Sequence, residues 1–137
     1  MASGELALVF HAHLPYVRSD VEGSLEEDWY FQALLECYLP LLDVLDAAAA
    51  DPSQRPRLTL GLSPTLLSLL SDPELSGRFL PWLSRRRTLL HQAPASHQAA
   101  AEHLAGVIEH TLEQWRACGG NLLGRFRRLR DAGVLDL

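Results

Sequence analysis

Two short apolar runs separated by a long amphipathic stretch constrain this chain more than anything else in it. Residues 5–10 read ELALVF, continuously apolar after the glutamate, which suits a central parallel strand buried on both faces. Residues 57–62 read RLTLGL, with Leu58, Leu60 and Leu62 on one face and Thr59 and Gly61 on the other, the alternation of a second strand. Between them, Ser24 followed three places on by Glu27 is the capping-box signature of a helix start. Phe31, Leu34, Leu35, Tyr38, Leu41, Leu42 and Leu45 then recur at spacings of three and four, which predicts a helix from about 25 to 50. Pro40 falls inside that pattern and predicts a kink, and the polar, twice-proline segment DPSQRP ends the helix in a turn.

Beyond the second strand the punctuation is helical. Ser63 before Pro64 and Asp72 before Pro73 are each an N-cap followed by a first-turn proline, the first opening a short helix and the second a helix running toward Leu90 that Pro81 is expected to bend. A further helix is expected from about 96 to 117 through Leu104, Ile108, Thr111, Leu112 and Trp115, ended by Gly119 and Gly120. Asn121 caps a last helix that closes at Gly133, and Val134 to Leu137 look like the start of a third strand. Strand, helix, strand, several helices and a strand stub make the βαβ pattern of an α/β protein with a parallel sheet.

The 137 residues suit one domain, and 47% apolar against 21% charged residues is the balance of a compact globular chain. The net charge of −5, with arginine as the sole basic residue type, argues against a nucleic-acid partner. Arg85 to Arg87, and Arg125, Arg127, Arg128 and Arg130, read as solvated helix faces rather than binding patches. Cys37 and Cys118 lie far apart without metal-ligand or redox spacing, so they read as reduced, buried thiols. The N-terminal apolar run is too short for a membrane span and lacks the basic flank of a secretory signal, which points to a cytoplasmic protein. Neither a G-x-G-x-x-G nor a G-x-x-x-x-G-K-[ST] loop occurs, nor a G-x-S-x-G nucleophile elbow.

The chemistry-bearing stretch is His11-Ala12-His13-Leu14-Pro15-Tyr16. Alternation in a strand puts His11 and His13 on one side, at the carboxyl end of the first strand, where α/β sheets and barrels bind ligands. Three readings stand side by side. The histidines are satisfied polar groups at a strand end; or they are two imidazole ligands of a zinc-type site that needs further ligands, while His91, His97, His103 and His110 fall in the helical region; or they contact a sugar, with Tyr16 offering a flat ring and a hydroxyl.

LALVFHAHLPYVR, followed by LEEDWYFQALLECYLPLLDVLD and RLTLGLSPTLLSLLSDPEL, closely resembles the opening of the glycoside hydrolase family 57 catalytic domain, in particular that of its α-1,4-glucan branching enzymes. The likeness is strong over residues 5 to about 80 and looser to 137. It implies the N-terminal portion of an incomplete (β/α)7 barrel, made of two parallel strands, a third-strand stub and several helices, with residues 1–137 as a fragment of one domain. It also implies a retaining mechanism, no metal or other cofactor, and an α-glucan of the amylose or glycogen kind as substrate. His11 and His13 are then expected to line the subsite where the sugar bond is broken, with Tyr16 and Trp29 as aromatic neighbours; the alternative for Trp29 is a core position on its helix.

Retaining transfer needs two carboxyl groups about 5 to 5.5 Å apart. In the family these are a glutamate on a middle strand and an aspartate on a later one, and neither motif occurs in this sequence. Glu26, Glu27 and Asp28 sit at a helix start, where carboxylates stabilise the terminus, and Asp20 and Glu22 sit in a loop. The 137-residue chain by itself is therefore expected to be inactive, and either marginally soluble or dependent on a second chain for the remaining strands. A non-catalytic glucan-binding module and a 4-α-glucanotransferase or α-amylase of the same family are the alternatives.

Overall fold

The computed structural model describes residue 4, residues 6–51 and residues 57–137. Glu5 and most of the DPSQRP turn lie outside them. The described elements run β1 (Val9–Ala12), α1 (Leu25–Ala33), a π-helical turn (Leu34–Tyr38), α2 (Leu39–Ala50), β2 (Leu58–Leu62), α3 (Pro64–Leu70) and α4 (Pro73–Leu90). A 3₁₀ turn (Ala95–His97), α5 (Gln98–Ala117), α6 (Leu122–Asp131) and β3 (Leu135–Asp136) complete them.

The three strands are parallel and ordered β1-β2-β3, with Phe10 opposite Leu60, His11 opposite Gly61 and Leu58 opposite Leu135. This is the α/β, parallel-sheet architecture expected. Two details differ for β1. It starts at Val9 rather than residue 5, although the Leu8 carbonyl already accepts the Thr59 N–H at 2.9 Å. It is also an edge strand covered on one side rather than a central strand covered on both. Side chains facing the helices are buried at Ala12, Leu60 and Leu135, whereas Val9, His11, Gly61 and Asp136 on the opposite face are exposed.

The core is one continuous cluster beneath the covered face. Its aromatic centre is Phe79, fully buried among Phe31, Trp82 and Trp115 with ring centroids 5.8, 6.0 and 4.5 Å away. Such offset and tilted contacts let rings fill space without facing their negative clouds together.

The expected caps form. Ser24, Ser63, Asp72 and Asn121 each accept a main-chain N–H of the first turn of α1, α3, α4 and α6. Gly120 ends the α5 turn at φ +73, and a Cβ there would also stand 3.1 Å from the Trp115 ring, so both backbone and space call for glycine.

Pro40 does not break its helix. The Leu39 N–H bonds to the Leu34 carbonyl five residues back, so the ladder widens by one residue just before the proline, which has no N–H to place. The wider turn puts Leu34, Leu35, Tyr38 and Leu39 inward and leaves Cys37 exposed, contrary to the expectation of a buried thiol. Cys118 is half-buried, with its Sγ 3.4 Å from the Trp115 carbonyl. The helix α4 runs unbroken through Pro81, which is exposed along with Gly77, so the carbonyl left without its donor faces water.

Arg125 also departs from the expectation. It is not part of a solvated face but 5% exposed, and it joins three helices by bonding Asp43 and Asp46 of α2 at 3.0 and 2.6 Å and Gln114 of α5 at 3.3 Å. Arg127, Arg128 and Arg130 are exposed, as are Arg85, Arg86 and Arg87. Among the described residues no helix is long and apolar enough to cross a membrane.

Candidate functional site: paired histidines at the end of the first strand

His11 is the third residue of β1 and His13 lies one residue past its end. Both side chains rise from the uncovered face, and their rings stack with centroids 5.8 Å apart and planes within 13°. The floor beneath His11 is Gly61, where a Cβ would lie 3.5 Å from His11 Nδ1. A side chain much larger than alanine there would occupy the space into which the imidazole leans.

The backbone around His13 is fastened on both sides by the Ser63-Pro64-Thr65 turn that follows β2. The Ser63 N–H donates to the Ala12 carbonyl at 3.0 Å, and the Thr65 hydroxyl donates to the Leu14 carbonyl at 2.7 Å. Further along, Arg18 holds the loop to the start of α4 through Asp72 at 2.7 Å and Glu74, and pairs within the loop with Asp20 at 3.0 Å. Burial alone would raise the Asp72 carboxyl. The Arg18 guanidinium and the N–H groups of Leu75 and Glu74 outweigh it and hold the carboxyl below its ordinary value.

Tyr16 and Trp29 do not join the histidines in one pocket. Tyr16 is 60% exposed in the loop, and Trp29 is 55% exposed on α1, which rules out the core position considered for it. A cavity of about 320 Å³ follows the edge of β1, lined by Phe10 to His13 on the strand side and by Cys37, Tyr38 and Leu41 on the helix side; neither Tyr16 nor Trp29 lines it. Tyr38 was counted in the sequence only as a core position. Its phenol is pushed up to about 12 by burial, with a smaller contribution from Cys37.

The acids at the start of α1 are more than helix-terminus charges. Glu27 is completely buried, 2.5 Å from Arg78 of α4, and the same guanidinium donates to the Ser19 carbonyl at 3.3 Å. Asp28 accepts the Trp82 indole N–H at 2.5 Å and pairs with Arg86 at 2.9 Å. These carboxylates are committed to fixing the loop and the helices. On the open face, Asp136 stands opposite Thr59 in the register and presents a carboxylate on the same side as His11. Among the described residues no group of three or more His, Cys, Asp or Glu side chains is arranged to hold a metal ion.

Comparison with known proteins shows what the chain is similar to. No protein-family model matches the chain. It is 26% identical over 137 residues to a 1,4-α-glucan branching enzyme of Thermococcus kodakarensis, covering 98% of this chain and 20% of that enzyme. It is 33% identical over 116 residues to a probable 1,4-α-glucan branching enzyme of Mycobacterium tuberculosis, covering 85% of this chain and 22% of that protein. In structure it matches the GH57-type branching enzyme of Pyrococcus horikoshii with a TM-score of 0.81 at 27% identity, covering 94% of this chain and 26% of that one. It matches the α-amylase AmyC of Thermotoga maritima with a TM-score of 0.80 at 30% identity, over 95% of this chain and 26% of that one. The chain thus spans about a fifth of the length of the curated relatives it matches. In sequence and in fold, it corresponds to the N-terminal portion of a glycoside hydrolase family 57 barrel domain of the branching-enzyme-like kind.

Proposed function

We propose that this chain supplies one wall of the sugar subsite of an α-1,4-glucan branching enzyme, with residues 1–137 as the N-terminal segment of one barrel domain. The observation that carries the reading is the stacked pair His11 and His13 on the uncovered sheet face at the carboxyl ends of the strands. Imidazole nitrogens there are placed to hydrogen-bond sugar hydroxyls, and exposed Tyr16 and Trp29 offer flat rings at the margin. The nucleophile and the acid/base of a retaining transfer come, on this reading, from other residues, which a second chain or the rest of a longer polypeptide would bring to the open face. The cytoplasm is the compartment that goes with free Cys37 and Cys118.

The test is titration of the chain with maltoheptaose, followed by imidazole NMR. Binding should weaken at least about tenfold for His13→Ala, the loss of one or two hydrogen bonds to a polar ligand, and less for Tyr16→Ala. Equal affinity of the wild-type chain and His13→Ala would overturn the reading. The likeness to the Thermotoga α-amylase favours a second reading, hydrolysis rather than transfer of α-glucan. Product analysis of the assembled barrel separates them: new α-1,6 branches for the first, shortened linear chains for the second.

A further inference from the structure

We propose that Thr65 is a positioning residue for the histidine pair, acting through a directional chain of hydrogen bonds that begins at the first turn of α3. The proposal rests on the reading of His11 and His13 as sugar-binding groups for its purpose, though not for its geometry.

Proton counting gives the chain its direction. A threonine hydroxyl has one proton, and that of Thr65 is committed to the Leu14 carbonyl at 2.7 Å. The 3.0 Å contact between the Ser63 and Thr65 hydroxyls therefore has Ser63 as donor and Thr65 as acceptor. Ser63 Oγ in turn accepts the Leu66 N–H at 3.3 Å, the cap of α3. The order is Leu66 N–H to Ser63 hydroxyl to Thr65 hydroxyl to Leu14 carbonyl, and each bond polarises the next. Ser63 is 7% exposed, so the chain is shielded from competing water at its centre.

Leu14 follows His13 directly, and the carbonyl preceding His13, that of Ala12, is held by the Ser63 N–H at 3.0 Å. The peptide group before His13 and the one after Leu14 are thus tied to one turn, Ser63 to Thr65, with His13 and Leu14 between them. Fixing them removes the backbone freedom that would let the His13 ring swing off His11, from which its centroid is 5.8 Å away. The proline between the two hydroxyl residues locks its own φ and keeps the spacing that lets Ser63 reach Thr65. Thr65 has no place among the residues that line the β1-edge cavity, so its contribution is to aim other groups rather than to touch a ligand.

The experiment uses the 137-residue chain with ¹³C-labelled histidine. In wild type the Thr65 hydroxyl proton should exchange slowly enough to be detected, and a proton in fast exchange would overturn the proposal without any variant. Thr65→Val keeps the shape and removes the hydroxyl, whereas Thr65→Ser keeps the hydroxyl. The expected result is that Thr65→Val moves the His13 imidazole signals and weakens the His11–His13 ring contact, while Thr65→Ser leaves both as in wild type. With maltoheptaose as the probe, affinity falls about fivefold to tenfold for Thr65→Val, the effect of one net hydrogen bond, and returns in Thr65→Ser. Unchanged His13 signals in a folded Thr65→Val chain, or the same displacement in both variants, would refute the positioning role. Should wild type bind no maltoheptaose while the His13 signals respond as described, the sugar-binding reading fails and the positioning of His13 stands.

Discussion

Cutting the Glu27–Arg78 pair from its two ends should have unequal effects, because the two partners are unequally buried. Glu27 is 0% exposed, and among the described residues its carboxylate has, besides Arg78, only the Gly23 N–H at 3.4 Å. The Arg78 side chain is 19% exposed and keeps the Ser19 carbonyl at 3.3 Å and Glu74 at 3.8 Å. Arg78→Met therefore strands a carboxylate with no route to water, a loss of about 3–5 kcal/mol for one half of a buried pair. Glu27→Gln leaves a guanidinium with two other partners and solvent access, and a neutral amide in place of the charge, for about 1–2 kcal/mol. The double variant removes both the stranded charge and its partner, so its loss should fall short of the sum of the singles by more than about 1 kcal/mol.

The assay is urea unfolding at neutral pH followed by tryptophan fluorescence, for which buried Trp82 and Trp115 are suitable reporters. With a slope of about 1–3 kcal/mol per molar urea, Arg78→Met should move the midpoint by more than about 1 M. Equal midpoints for the two single variants, or strictly additive losses in the double, would refute the reasoning from unequal burial.

Two further outcomes follow from the same structure. Burial raises the Tyr30 phenol, which also donates to the Leu69 carbonyl at 3.2 Å, and pushes Tyr38 up to about 12. The native chain holds these two protons longer than the unfolded chain does, so stability should fall as the pH rises from about 10, the ordinary phenol value, toward 12. Absorbance at 295 nm against circular dichroism checks this, and ionisation of both phenols well before unfolding would contradict it. At the histidine floor, Gly61→Ala should leave the His11 imidazole signals in place because its Cβ meets Nδ1 at an ordinary 3.5 Å, whereas Gly61→Val should displace them. Proton–carbon NMR of the ring reads the difference.

The elements that could be read from the sequence are those whose cause is local. Ser24, Ser63, Asp72 and Asn121 cap within three residues of themselves, and the period of Phe31, Leu34, Leu35 and Tyr38 needs no knowledge of what it packs against. The pairing of His11 with His13 was legible for the same reason, since strand alternation puts both on one side. What stayed hidden depends on partners far away in the chain. Arg125 looked like its exposed neighbours because Asp43 and Asp46 belong to another helix. Glu27 resembled a helix-start acid because Arg78 comes from α4. The separation of Tyr16 and Trp29 from the β1-edge cavity is likewise set by where the loop and α1 come to rest.

The widened turn at Leu34–Tyr38 bears on how this helix came by its proline. In an uninterrupted α-ladder, a ring at position 40 would press on the carbonyl four residues back, for about 3 kcal/mol. The five-residue step from Leu39 to Leu34 relieves the ladder at that place. Deleting one residue from the turn would restore the regular ladder and bring back the clash, while the helix faces on either side would keep nearly the same register, since the wide turn is what absorbs the extra residue. The extra residue and Pro40 are thus an interdependent pair. A lineage that acquired the insertion first could accept the proline at little loss, and a lineage that has both can no longer shed the insertion alone.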